Sequence, residues 1–96
     1  MIVEQAVLFI KPKQSEAFEE AFRKAQSIIS QMKGYITHDL LKCIEEENRY
    51  LLTVQWETLE DHEIGFRQSK EYLEWKKRLH HFYDPFPTVY HYTFTL

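Results

Sequence analysis

Trp56-Glu57-Thr58-Leu59-Glu60-Asp61-His62, followed by Gly65-Phe66-Arg67-Gln68-Ser69-Lys70-Glu71-Tyr72-Leu73-Glu74-Trp75 and then Asp84-Pro85-Phe86-Pro87-Thr88-Val89, is the stretch that decides the fold. Trp56 closes a run of strand formers. Thr58 is suited to cap a helix, and Asp61 falls in the first turn, where the helix dipole favours an anion. Gly65 weakens a helix interior and marks a place where that helix packs closely or breaks. Ser69 can start a second helix whose apolar face is Tyr72, Trp75, Leu79 and Phe82. The two prolines at 85 and 87 make a stiff, extended return into a last strand.

Working outward, Val3 to Ile10 is rich in β-branched and aromatic residues and stops at Lys11-Pro12, as a strand would. Phe18, Phe22, Ala25, Ile29 and Met32 recur at steps of three and four, which is one helical face. Ser15 is the expected cap of this helix and Gly34 its stop. Tyr35 to Ile44 and Arg49 to Glu57 read as strands joined by a charged tip, Glu45 to Asn48, and so as an antiparallel hairpin. Thr88 to Leu96 is the last strand, with Tyr90, Tyr92 and Phe94 on one side and His91, Thr93 and Thr95 on the other. The order β-α-β-β-α-β predicts an α+β, ferredoxin-like sandwich with an antiparallel sheet, and a single domain over residues 1–96.

The strands do not alternate cleanly between apolar and polar. Val3, Val7 and Phe9 oppose Ala6, Leu8 and Ile10, while Leu52, Val54 and Trp56 oppose Leu51, Thr53 and Gln55. Helices cover one face; the other would be an exposed apolar patch unless a second copy covered it. A two-fold homodimer through that face is expected, its two sheets forming a barrel-like core.

Composition excludes several function classes. A net charge of −3 and a pI near 5.9 give no cationic surplus for nucleic acid. No apolar run is long enough to cross a membrane, and the amino terminus, with Glu4 and Gln5, does not read as a signal peptide. A cytoplasmic location is the expectation. Cys43, the sole cysteine, admits no internal disulfide and reads as a small apolar strand residue. No phosphate loop or nucleophile elbow is present.

The element order, the pairing-prone sheet and the pattern Trp56, Asp61-His62, Phe66-Arg67-Gln68-Ser69, Tyr72 and Trp75 together resemble the antibiotic biosynthesis monooxygenase (ABM) domain family over essentially the whole chain. The resemblance implies a dimeric α/β barrel with a cavity between sheet and helices in each subunit. Some members of such a family oxidise polycyclic phenols with oxygen and no metal or flavin, others degrade haem, and others oxidise quinols or have no known activity; on the first of these no cofactor is expected. The haem-degrading branch carries an Asn on the first strand, a Trp on the helix after strand three and a ligating His on the next helix. Here those positions fall at Gln5 or Ala6, at Gly65 or Phe66, and near Lys76, so the resemblance does not bring haem degradation with it.

Five histidines supply the candidate chemistry. A base that deprotonates a phenol makes it electron-rich enough to reduce oxygen, and imidazole titrates near neutrality. His62, beside the Phe66 face, is the candidate catalytic base or orienter; a half-exposed histidine without a role is the alternative. His91 is a candidate polar anchor, set to meet Gln5, Thr53 or Gln55, or else a residue of the dimer surface. Phe66 and Trp75 are candidate pocket walls and Tyr83 a hydrogen-bond donor at the mouth, although aromatic residues at helical spacing also serve as plain core. His80 and His81 point about 100° apart on a helix, so no shared metal is predicted; solvation and a cation at the helix end are their expected roles. The expected activity is a cofactor-independent monooxygenase of a small planar phenol, quinol or anthrone. A non-enzymatic barrel binding a small hydrophobic ligand is the alternative, and haem binding stands behind both.

Overall fold

A computed structural model describes residues 1–96. Four strands, β1 (Ile2–Phe9), β2 (Tyr35–Lys42), β3 (Arg49–Trp56) and β4 (Val89–Thr93), form one antiparallel sheet in the order β2-β3-β1-β4. Helix α1 (Ser15–Ser30) joins β1 to β2. A π-helical segment (Asp61–Phe66), helix α2 (Lys70–Leu79) and a short 3-10 turn (His80–Phe82) join β3 to β4.

The register sorts the side chains. Glu4 stands opposite Val54 and His91, Ala6 opposite Leu52 and Val89, and Leu8 opposite Tyr50, so all of these share the face beneath the helices. On that face Ala6, Leu8, Tyr50, Leu52, Val54 and Trp56 are buried against Phe18, Phe22, Ala25 and Ile29 of α1 and Trp75 and Leu79 of α2, in one cluster. Val3, Gln5, Val7 and Phe9 pair with Gln55, Thr53, Leu51 and Arg49 on the opposite face. No helix covers this second face within one chain: Leu41, Tyr90, Tyr92 and Phe94 are exposed there.

Local sequence explains most element ends. Gly34 has φ +84°, and a Cβ there would lie 2.2 Å from the Asp61 carboxylate, so backbone freedom and close packing both require glycine. Ser69 Oγ accepts from Tyr72 N (3.1 Å) and donates to Phe66 O (2.6 Å), capping α2 as expected. Thr58 Oγ1 accepts from Asp61 N (3.1 Å).

Four expectations change. Ser15 does not cap α1. It is the first helical residue, and its hydroxyl donates to Asn48 Oδ1 (2.6 Å), tying the helix to the far hairpin. Strand β2 ends at Lys42, which leaves Cys43 and Ile44 in the turn. Strand β4 spans Val89–Thr93 and stops three residues short of the expected end at Leu96. Of the two readings of Gly65 the break is the one that holds, since a Cβ there would meet only Glu60 O at 3.8 Å and the segment ends one residue later. The segment itself is π-helical, with Arg67 N donating to His62 O (3.0 Å).

Candidate functional site

Glu4 is the group that sequence reasoning passed over. It is the one carboxylate in the buried interior, 6% exposed, and it lies on the helix-facing side of β1. Trp56 Nε1–H donates to its Oε1 (2.9 Å), and His62 Nε2 lies 3.2 Å from the same oxygen. Loss of hydration raises the Glu4 pKa from 4.5 to about 7, against the opposing effects of the indole hydrogen bond and the Arg67 charge. Its sequence signal was parity: residue 4 shares a face with Ala6, Leu8 and Ile10, so an inward strand places a carboxylate inside.

His62 is buried, not half-exposed, and both its ring nitrogens are engaged. Its Nδ1 lies 2.8 Å from His91 Nε2, and its ring stacks on Trp56 with centroids 5.5 Å apart. Burial first, then the Arg67 and His91 charges, lower its pKa to about 3. The pair is therefore a carboxyl group beside a neutral imidazole. The π-helical turn brings His62 and Phe66 to the same inward face, and such turns recur at functional sites.

His91 meets neither Gln5, Thr53 nor Gln55. Those residues lie on the opposite face of the sheet, because β4 pairs with β1 so that His91 stands beside Glu4 and Tyr90 beside Gln5. His91 stands behind His62, with its Nδ1 3.9 Å from Glu63 Oε1.

Glu4 and His62 open onto an interior cavity of about 60 Å³ between sheet and helices, walled by Phe66, Tyr72, Trp75, Tyr83 and Phe86 among others. Of the four pocket residues expected from the sequence, Phe66, Trp75 and Tyr83 line this cavity and His91 does not. Arg67 and His80 also line it. His80 does not play the solvated cation expected of it. It packs among Tyr72, Tyr83 and Phe86, burial lowers its pKa to about 4, and its buried Nδ1 has no hydrogen-bond partner. Burial holds the Tyr83 phenol well above its ordinary pKa, so it stays a donor. The wall is apolar and aromatic, with a carboxyl, two neutral imidazoles and a phenol among the residues that line it. That set can take a proton from a weak acid and hold the resulting anion near Arg67.

Comparison with known proteins agrees with this architecture. Residues 1–78 match the family model "Antibiotic biosynthesis monooxygenase". The uncharacterized protein YczJ of Bacillus subtilis (strain 168) is 62% identical over 92 residues, which is 96% of this chain and 97% of that one. A crystal structure from Bordetella bronchiseptica, assigned to the antibiotic biosynthesis monooxygenases, superposes with a TM-score of 0.94 at 32% identity, covering 99% of this chain and 97% of that one. SnoaB of Streptomyces nogalater, a cofactor-independent oxygenase, shares the fold with a TM-score of 0.71 at 19% identity, over 99% of this chain and 91% of its own. The chain belongs to the antibiotic biosynthesis monooxygenase family.

Proposed function

We propose that this protein is a cofactor-independent monooxygenase acting on a small, planar, electron-rich aromatic of the phenol, quinol or anthrone type, with Glu4 as its base. The observation that carries this reading is a carboxyl group on an apolar cavity wall, buried and raised to a pKa of about 7. Such a group exchanges protons at neutral pH and is far more basic than an ordinary glutamate. His62, with a pKa near 3 and both nitrogens bonded, is the weaker base; it orients the carboxyl, the other role expected of it. The description of SnoaB as a cofactor-independent oxygenase supports the same class of chemistry.

In this reading Glu4 withdraws a proton from the substrate, and Arg67 offsets the negative charge that develops. The anion passes an electron to oxygen, and radical recombination gives a peroxide that loses water. Tyr83 O–H and the unpartnered His80 Nδ1 are left to fix the substrate's polar edges. The cavity is less than half of the roughly 150 Å³ that accepts benzene, so binding requires its walls to part. Phe86, 62% exposed on the proline-rich return, is the wall least held by the core.

The test is oxygen uptake with anthrones, dihydroxynaphthalenes and quinols, across about pH 5–9. Uptake should rise through an apparent pKa of about 7. It should fall by roughly 10²-fold or more in Glu4→Gln, the usual worth of a general base. Ligand-induced thermal stabilisation without uptake would instead favour the non-enzymatic binding barrel.

A further inference from the structure

We infer that His62 and His91 form a proton wire joining the buried Glu4 carboxyl to solvent beside Glu63. The inference deepens the reading of Glu4 as the base and rests on it for its catalytic use. Its geometry is independent of that reading.

The four groups make a line and not a cluster. Glu4 Oε1 is 3.2 Å from His62 Nε2, His62 Nδ1 is 2.8 Å from His91 Nε2, and His91 Nδ1 is 3.9 Å from Glu63 Oε1. Side-chain exposure is 8% and 3% at Glu4 and His62, 19% at His91 and 47% at Glu63, so the line runs from interior to surface. Three elements supply it: β1 gives Glu4, the π-helical segment gives His62 and Glu63, and β4 gives His91. Trp56 is the other partner of Glu4 Oε1, and an indole N–H donates but cannot accept. At Oε1, His62 is therefore the one partner that can accept a proton from Glu4.

A neutral imidazole holds one proton on its two nitrogens. Receiving a proton on one nitrogen, it releases the other, and it ends neutral. For export, the Glu4 O–H bond breaks as a His62 Nε2–H bond forms. The His62 Nδ1–H bond breaks as His91 Nε2–H forms, and His91 Nδ1–H passes its proton to water, Glu63 Oε1 at 3.9 Å being too far for direct transfer. One proton leaves and neither ring keeps a charge. The charged groups facing the wire suit this. The Arg67 guanidinium disfavours a cation on His62 and on His91, and Glu63 favours a proton arriving at His91.

Turning a substrate CH₂ into a carbonyl with O₂ uses the wire in both directions. One C–H proton is withdrawn before oxygen adds. One proton is then supplied to the peroxide, whose O–O bond breaks as the second C–H proton and the terminal oxygen depart together as water. The sum is CH₂ + O₂ → C=O + H₂O. Export switches both ring tautomers and import switches them back, so the wire resets without either ring rotating.

The test follows the protonation of Glu4 itself, by the infrared carbonyl band of the buried acid after a pH jump across neutrality, in the full chain without substrate. In His91→Gln the amide can still bond His62 but cannot relay. The relaxation should slow by about tenfold or more, with its midpoint within a unit of the wild type and the melting temperature unchanged. In His91→Ala, added imidazole should restore the rate in proportion to its concentration. A wild-type rate in His91→Gln, or a His91→Ala rate indifferent to imidazole, overturns the wire. Slow relaxation in a protein whose wild type consumes no oxygen would leave the wire standing and remove the monooxygenase reading alone.

Discussion

A carboxyl group that sheds its water on folding makes stability depend on pH, and Glu4 sets the sign. Its pKa is raised from 4.5 to about 7, so its favourable contribution is complete below pH 4.5 and disappears as pH rises through 7. At 1.36 kcal/mol per unit, the change is about 3 kcal/mol. His62 and His80, lowered to about 3 and 4, run the other way, their contribution being present above pH 6.5 and lost in acid. Subtracting Glu4→Gln from wild type isolates the carboxyl, because glutamine still accepts the Trp56 bond. Urea unfolding should show the variant gaining about 3 kcal/mol on the wild type between about pH 4 and pH 8.5; a constant difference would mean Glu4 is ordinary. Gly34→Ala is expected to cost roughly 1–3 kcal/mol, from its positive φ and from the contact with Asp61. In an Asp61→Gly background the loss should shrink towards the backbone term, because the Asp61 Cβ as well as its carboxylate lies within 2.6 Å of the added methyl. At this scale the sequence is unevenly legible. Phe66, Trp75 and Tyr83 stand out as inward aromatics from helical spacing and from the turn that follows. Glu4 shows in sequence as a charge near the amino terminus, although its parity with Ala6 and Leu8 places it inside. The face of His91 depends on how β4 pairs with β1, which neither strand states alone.

The elements themselves are largely written in local pattern. The α1 stripe, the hairpin and the Ser69 cap need only spacing and turn chemistry to be seen. What escapes are features set by distant partners. Ser15 gives its hydroxyl to a residue 33 positions away, so no local rule could withhold the cap. The π-helical turn of Asp61–Phe66 has no composition of its own, since Gly65 is equally at home in a broken α-helix. Ser69 couples this turn to α2 through both of its hydrogen bonds. Ser69→Ala should therefore cost about 1–2 kcal/mol in chemical denaturation. It should also loosen Phe66, seen as faster amide exchange at residues 66–72; a loss confined to α2 would show that the coupling is absent.

At the scale of the molecule, the sheet has one face packed and one bare. Val7, Leu51, Tyr90 and Tyr92 on the bare face make an apolar surface that a second copy would bury, as in the expected homodimer. Sedimentation should give twice the mass of one chain, and Val7→Lys with Leu51→Lys should give a single chain that keeps its far-ultraviolet spectrum. A wild type of single-chain mass would refute the pairing. Strand β1 sits at the centre of this arrangement. Its eight residues alternate between the carboxyl that faces the cavity and the side chains that face the bare surface. A single residue inserted between Gln5 and Ala6, with the rest of β1 held in register, would turn over the residues before it, sending the Glu4 carboxyl outward and bringing Gln5 into its place at the cavity. The charged tip at 45–48 joins β2 to β3 at the rim and transmits no such inversion. Length variation in this chain is therefore cheap at the tip of the hairpin and ruinous in β1, where one extra amino acid would erase the chemistry and charge the mating surface in the same stroke.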